Sequence, residues 1–447
     1  MEDLDLAADL VRRAKARGAD QAEVYLTRGA EFTVEIARGK IQELKQAASK
    51  GLGIRLFRGS HMGFVSSTDF STSSLETILD HGFAGLELST PEKANRLPEL
   101  SRESPPDDLE LYDPSIAEVP TEKKIALARE MEELAFQYDQ RITNSHQSGY
   151  SDVVVRSSIV NSEGLSVSWE ESSVGMNIYP MAEANGEKQM GGAWAAARFF
   201  DDLPPTSELA EQAAERALKL LGGRKVKSGS VPVIFDWQVG AIILGGLLAG
   251  INGERVYRNQ SFLSDKLGQR IGSETFTVID DGRRKRGPGS APVDGEGVPT
   301  NRKAVVDQGV LTSFLYNSYT AHKAGTDSTG NAARTGYSSL PGISGLTFYL
   351  EPGTESVESL LADVDRGLWV WDVVGGGPDP VSGDFSAGVA GIWIEKGVPT
   401  HPVSQVTIAG RLTDIFQGID GAASDLKLYS SVACPSFRVN RMTLSGT

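Results

Sequence analysis

The spacing of apolar and polar positions divides the chain into helical and extended segments. Leu4, Ala7, Leu10, Val11 and Ala14 recur at helical spacing, and Gly18 ends that helix. The period then falls to two. Ala22 to Thr27 reads as a strand, and Phe32, Val34 and Ile36 line one face of an alternating run that turns at Gly39. Ile54, Leu56, Phe64 and Val65 continue a meander around Gly59-Ser60. Ser73-Ser74-Leu75-Glu76 then predicts a capping box opening a helix toward Leu88. Thr121 is expected to cap a helix through Tyr138, before strands at Val153 to Asn161, Leu165 to Met181 and near Ala193 to Phe200. Ser207 opens a further helix that Gly222-Gly223 closes. Each half of residues 1–225 therefore reads helix, strands, helix, the outline of an internal duplication, although no residue pattern repeats.

Beyond Val226 the pattern is mostly strands. Val231 to Phe235 is a short apolar strand, and Val239 to Ile251 predicts a helix apolar nearly all round, hence buried. Ser261 to Ile279, Arg302 to Leu315, Leu346 to Leu350, Leu368 to Val374, Gly388 to Glu395 and Ser404 to Ile408 suit strands. Asp307-Gln308-Gly309 marks a hairpin turn, and Ser356 to Val364 a helix. Earlier, between the first and second helix-strands-helix units, residues 91–120 shift to Pro, Glu, Asp and Ser, including Pro105-Pro106-Asp107-Asp108, as a linker or meandering connection does. The expected class is α+β. An N-terminal subdomain (1–90) and a middle one (121–225), each helix, strands, helix, precede a mainly antiparallel, β-rich C-terminal domain (226–447).

One stretch stands apart, WVWDVVGGGPDPVSGDFSAGVAGIWIEK from Trp369 to Lys396. Two strand-like runs flank a segment of Gly, Pro, Asp and Ser. Gly375, Gly376 and Gly377 permit positive φ and close approach of another chain. Two readings fit: a long surface connection, or a functional loop held by rigid strands.

Composition narrows the function. The 447 residues exceed one ordinary core, and 40% hydrophobic with 23% charged content is that of a globular protein. A formal charge of −15 argues against general nucleic-acid binding, which needs a basic face. The one basic cluster, Arg283 to Arg286, reads as a solvated loop. A single cysteine, Cys434, excludes a disulfide framework and a cysteine metal cluster. The acidic N-terminus is wrong for a secretory signal, and the longest apolar run is too short to span a bilayer. A cytoplasmic location is expected, with no membrane and no nucleic-acid partner.

The run GGGPDPVSGDFSAGVAGIWIEKG resembles the signature of the TldD/PmbA family, once called modulators of DNA gyrase and since regarded as metallopeptidases. The resemblance extends to GKIQE with GLGIRLFRGSHMGFVSSTD, to Asn317-Ser318-Tyr319-Thr320-Ala321 with Ser328 to Ala332, and to the closing PSFRVNRMTLSG. These motifs span nearly the whole chain in the family's order.

In the family's catalytic branch a helix carries HExxxH, whose histidines bind a metal and whose glutamate acts as base, with a further cysteine ligand. The ion would lower the pKa of bound water and polarise the scissile carbonyl. Here that register falls near Ile243 to Leu248, on Ile, Leu, Gly, Gly, Leu and Leu. No histidine lies between His146 and His322. His61, His81, His146, His322 and His401 are scattered, and Cys434 aligns with the closing strand rather than with the metal cysteine. No G-x-S-x-G elbow occurs. This chain is therefore expected to have no catalytic residue of its own and to bind no metal or other cofactor.

The resemblance is to the PmbA (TldE-like) branch, which lacks HExxxH. It implies a non-catalytic subunit that pairs, as a heterodimer or larger assembly, with a TldD-like paralog bearing HExxxH and a zinc-type metal. Together they would form a chamber for unfolded or extended peptides, in proteolysis or peptide maturation. A homodimer that binds peptides without catalysis, and a stand-alone peptidase with an unrecognised site, remain open. Asp384, Ser386 and Asn331 are the polar motif residues placed beside a substrate groove. Equally, Asp384 and Ser386 suit turn-stabilising caps, and Asn331 suits a left-handed backbone position.

Overall fold

The computed structural model describes residues 2–99 and 108–447. Its first part runs α1 (Asp3–Ala16), β1 (Gln21–Ala37), β2 (Lys40–Arg58), β3 (His61–Ser67) and α2 (Thr72–Leu88). The order then repeats as α3 (Thr121–Tyr138), β4 (Ile142–Asn161), β5 (Ser166–Ala184), β6 (Glu187–Met190), β7 (Ala193–Ala197) and α4 (Thr206–Lys219). Both sets share one antiparallel sheet, ordered β3-β2-β1-β4-β5-β6 with β7 also on β5. β1 pairs β4 from Glu23–Asn161 to Ile36–Ser148, and the strand order reads outward from that seam alike on both sides. The duplicated outline in the sequence is thus a pair of half-sheets joined edge to edge.

The period of two fixes the two faces. Ala22, Val24 and Leu26 of β1 pack beneath α1 and α2, while Phe32, Val34 and Ile36 pack with residues of α3 and α4. The odd-numbered Glu23 and Tyr25, with Arg55 and Phe57 of β2, point the other way, toward the C-terminal half. Gly51 and Gly53 are on this second face because Tyr337 crosses it. A Cβ on Gly51 would lie 2.4 Å from the Tyr337 ring, and one on Gly53 2.2 Å from its carbonyl oxygen. At the far end, Arg38 and Gly39 form the β1–β2 turn with φ of 54° and 69°. Buried Glu132 of α3 holds it, accepting the Arg38 and Gly39 N–H groups at 2.7 and 2.6 Å.

The C-terminal half contains β8 (Gly229–Phe235), α5 (Trp237–Gly250), α6 (Gly253–Tyr257), β9 (Val278–Asp281), β10 (Arg302–Asp307) and β11 (Val310–Leu311). Next come α7 (Ser318–Ala324), β12 (Ala332–Ala333), β13 (Gly342–Ile343), β14 (Thr347–Leu350), α8 (Val357–Ala362), β15 (Arg366–Pro378) and β16 (Asp384–Glu395). It ends with β17 (Val398–Arg411), α9 (Leu412–Gly418), β18 (Ile419–Ala422), β19 (Val432–Ala433) and β20 (Phe437–Ser445). The order β17-β16-β15-β8-β20 closes on itself, since β17 also pairs β20. A second sheet, β11-β10-β9-β14-β19, shares its core with this ring, and α5 contributes Ile243, Leu244 and Leu247 to it. The fold is α+β and mainly antiparallel, with β8–β15 and β14–β19 parallel.

Several local expectations shift. Ser71, not Ser73, caps α2, its side chain accepting the Ser74 N–H; α3 begins at Thr121 behind Pro120 without a side-chain cap. Ser261 to Ile279 is mostly turns: Leu263, Ile271 and Phe276 enter the core from irregular backbone, and only Val278 onward joins a sheet. Gln308 and Gly309 form the expected hairpin turn, at φ of 45° and 82°. The basic cluster is exposed, as expected of a solvated loop, but two of its residues also make ion pairs. Lys285 and Arg286 pair with Glu110 at 2.7 and 2.8 Å, and Arg286 with Asp202 at 2.9 Å, tying the C-terminal half to the first part. Pro105, Pro106 and Asp107 lie outside the described residues.

Glu132→Ala should destabilise the protein by about 2 kcal/mol, because it removes the two charge-assisted hydrogen bonds that hold the hairpin turn. Denaturant midpoints measure this, and a change near zero would show the turn needs no anchor.

Candidate functional site

Helix α5 is built as a buried element. Asp236 caps it, accepting the Gln238 N–H at 3.1 Å and pairing with Arg216 at 2.8 Å. Gly240 abuts Cys434, where a Cβ would lie 3.0 Å from the sulfur, and Gly246 abuts Pro378 of β15. The less buried side presents Gln238, Ala241, Ile242, Gly245, Leu248 and Ala249. The Gln238 amide oxygen accepts Arg216 at 3.2 Å, and none of the other five can ligate a metal. Among the described residues no group of three or more His, Cys, Asp or Glu is placed to hold an ion. Burial pushes the Cys434 thiol well above its ordinary pKa, so it stays protonated and apolar. His61 is engaged by Ser89, His322 by Arg96 and the Ala94 carbonyl, and His401 by Thr400. The residues present do not fit the metal that the resemblance attaches to this helix.

Beside α5 runs β15. Its glycines are strand rather than loop, with Gly375, Gly376 and Gly377 pairing Gly388, Ala387 and Ser386. The connection expected to be long shrinks to a turn at 379–383, where Asp379 accepts the Val381 N–H at 2.8 Å. Such backbone bonds hold the Asp379 carboxyl below its usual range. Only glycine serves at 376, where φ is 88° and a Cβ would lie 2.2 Å from the Ser386 carbonyl oxygen. β8 pairs β15 only from Leu368 to Val370. From Asp372 to Pro378, therefore, no strand among the described residues covers the other edge of β15, and Val374 is 74% exposed there. An uncovered edge of this kind can pair with an extended chain through main-chain groups alone.

Asp384 is exposed at the start of β16, 3.9 Å from Arg411, and exposed Ser386 lies opposite Gly377. These two share the region of the open edge. Asn331 does not: it is 1% exposed, donates to Asp280 at 2.8 Å and to the Ser344 carbonyl at 3.0 Å, and accepts the Thr329 hydroxyl. The left-handed position beside it belongs to Gly330, at φ 70°.

Three family models, for PmbA/TldA metallopeptidase domain 1, central domain and C-terminal domain, match residues 22–83, 114–221 and 228–446. Metalloprotease PmbA of Escherichia coli O157:H7 is 30% identical over 431 residues, covering 96% of this chain and 93% of that one. The chain belongs to the PmbA/TldD metallopeptidase family. The metalloprotease TldD homolog of Haemophilus influenzae is 25% identical, over 96% of this chain and 94% of that protein. A Thermotoga maritima structure of the DNA gyrase modulator group superposes with a TM-score of 0.91 at 27% identity, covering 99% of each chain. TldE from Thermococcus kodakarensis shares the fold, with a TM-score of 0.89 at 21% identity over 99% of this chain and 100% of that one.

A second polar site in this family member escaped the sequence reading. Arg55 donates from Nε and Nη2 to Glu23 at 2.9 and 2.7 Å, and from Nη1 to Glu296 at 2.8 Å. Arg334 also pairs with Glu23. Burial opposes the Arg55 charge, yet Glu23 and Glu296 hold its pKa above the ordinary value. Next to the cluster, burial and then Glu296 push the Asp294 carboxyl up to about 7. The available signal was a pair of charges inside apolar strands, Glu23 in AEVYL and Arg55 in GIRLF.

Arg55→Met should cost about 3–5 kcal/mol by leaving buried carboxylates uncompensated, again read from denaturant midpoints. Asp294 gives a pH test. Unfolded, its carboxyl ionises near pH 4; folded, it keeps the proton to about 7. Rising pH across that window therefore favours the unfolded state through this group. Relative to wild type, Asp294→Asn should gain stability between about pH 4 and pH 8. A pH-independent difference would show that its backbone N–H donors keep Asp294 ionised throughout.

Proposed function

We propose that this chain is the metal-free subunit of a PmbA/TldD-type peptidase that acts on unfolded or extended peptides. Its partner is a TldD-like paralog bearing HExxxH and a zinc-type metal, in a cytoplasmic heterodimer or larger assembly. One observation carries the proposal: α5 offers on its less buried side only Ala241, Ile242, Gly245, Leu248, Ala249 and Gln238, whose amide oxygen is already taken by Arg216. The open edge of β15 beside it supports a role in holding substrate. Backbone groups there suit an extended peptide irrespective of its side chains, with Asp384 and Ser386 on the neighbouring strand. The chemistry of bond cleavage belongs to the partner, and this chain contributes alignment of the peptide and part of the chamber wall.

The test is cleavage of casein by this chain, by the HExxxH paralog and by their mixture, with metal assayed in each. Metal confined to samples with the paralog, and activity strongest in the mixture, is the expected result. Metal-dependent cleavage by this chain alone would overturn it. Peptide binding without activity in any sample would instead identify a peptide-binding homo-oligomer. Val374→Pro should raise the KM of the mixture severalfold with little change in kcat, since proline cannot donate to an added strand.

A further inference from the structure

Between the β1–β5 sheet and the C-terminal half lies a cleft of about 500 Å³, within the size range of small-molecule sites. Its floor includes Arg55 and Glu296, and Phe57, Met62 and Leu340 supply apolar wall. Arg55 makes three hydrogen bonds to Glu23 and Glu296. A guanidinium has five N–H groups, so two lack an acceptor among the described residues. The cluster of Glu23, Glu296, Arg55 and Arg334 carries two charges of each sign, so it does not repel a carboxylate brought to those groups. Glu254 also lines the cleft. One of its carboxylate oxygens takes Arg258 at 2.8 Å and the other has no partner among the described residues.

We propose that this cleft binds free amino acids and short peptides with both termini unblocked. The carboxylate occupies the spare Arg55 donors, the ammonium faces Glu254, and an apolar side chain rests on Phe57, Met62 and Leu340. Glu92 is paired with Lys323 and Glu254 with Arg258, but the remaining Glu254 oxygen can take an ammonium, a contact that a plain anion cannot make, which favours the zwitterion. The proposal does not rest on the peptidase reading, because the cleft shares no residue with α5 or β15.

Titration of the full chain alone with leucyl-leucine, leucine, N-acetylleucine and leucinamide, followed by NMR or calorimetry, tests it. Saturable binding of the unblocked compounds is expected, with blocking of either terminus weakening it at least about tenfold through loss of a charge-assisted contact. Leu340→Trp at the exposed rim, and separately Met62→Trp, should remove binding while leaving Tm unchanged. The proposal fails if no compound saturates below about 10 mM, a range where millimolar affinities are measurable. It fails equally if blocked forms bind as well as free ones, or if both tryptophan variants bind normally.

Discussion

The four-charge cluster of Glu23, Arg55, Glu296 and Arg334 is the constraint around which the two halves are arranged. Each of its groups is almost entirely buried, so none can be left without its counter-charge. Glu23 and Arg55 come from the N-terminal sheet, Glu296 and Arg334 from loops of the C-terminal half. A shift of the sheet by one residue would turn Glu23 and Arg55 into the helix layer and bring apolar residues against Glu296. The cluster contributes register as much as stability.

Around it, close approach replaces side chains. Gly51 and Gly53 leave the sheet surface bare where Tyr337 passes, and Gly297 makes room for Leu165. Outside the buried zone, Lys285 and Arg286 reach Glu110 and Asp202 on the first part of the chain. Exposed pairs like these add little stability individually. Their place at the seam gives them an orienting role that the buried cluster reinforces.

The same economy shapes α5 and β15. A helix in the shared core must be apolar, and β15 bulges at Trp371 and Val374 and continues through three paired glycines past the end of β8. One consequence is a helix without ligating groups among its less buried apolar residues, and another is a strand edge with no strand partner among the described residues from Asp372 to Pro378. Both belong to the proposed role of holding a peptide for chemistry performed by another chain.

The sequence by itself determined the elements with strong periodicity or turn chemistry: α1, β1, the Gln308-Gly309 hairpin, the apolar α5 and the lack of a metal motif. It also carried the family, because the glycine-rich motifs are local and ordered along the chain. Tertiary structure alone decided what those elements do. Gly375 to Gly377 read as a loop in isolation, yet strand pairing with β16 makes them an open edge. Asn331 read as a groove residue, yet its amide is used up holding Asp280. Arg283 to Arg286 are exposed as read, but the acids that Lys285 and Arg286 meet lie far away in sequence. Pairing partners and burial come from contacts between distant segments, and a pattern read along the chain contains only the near ones.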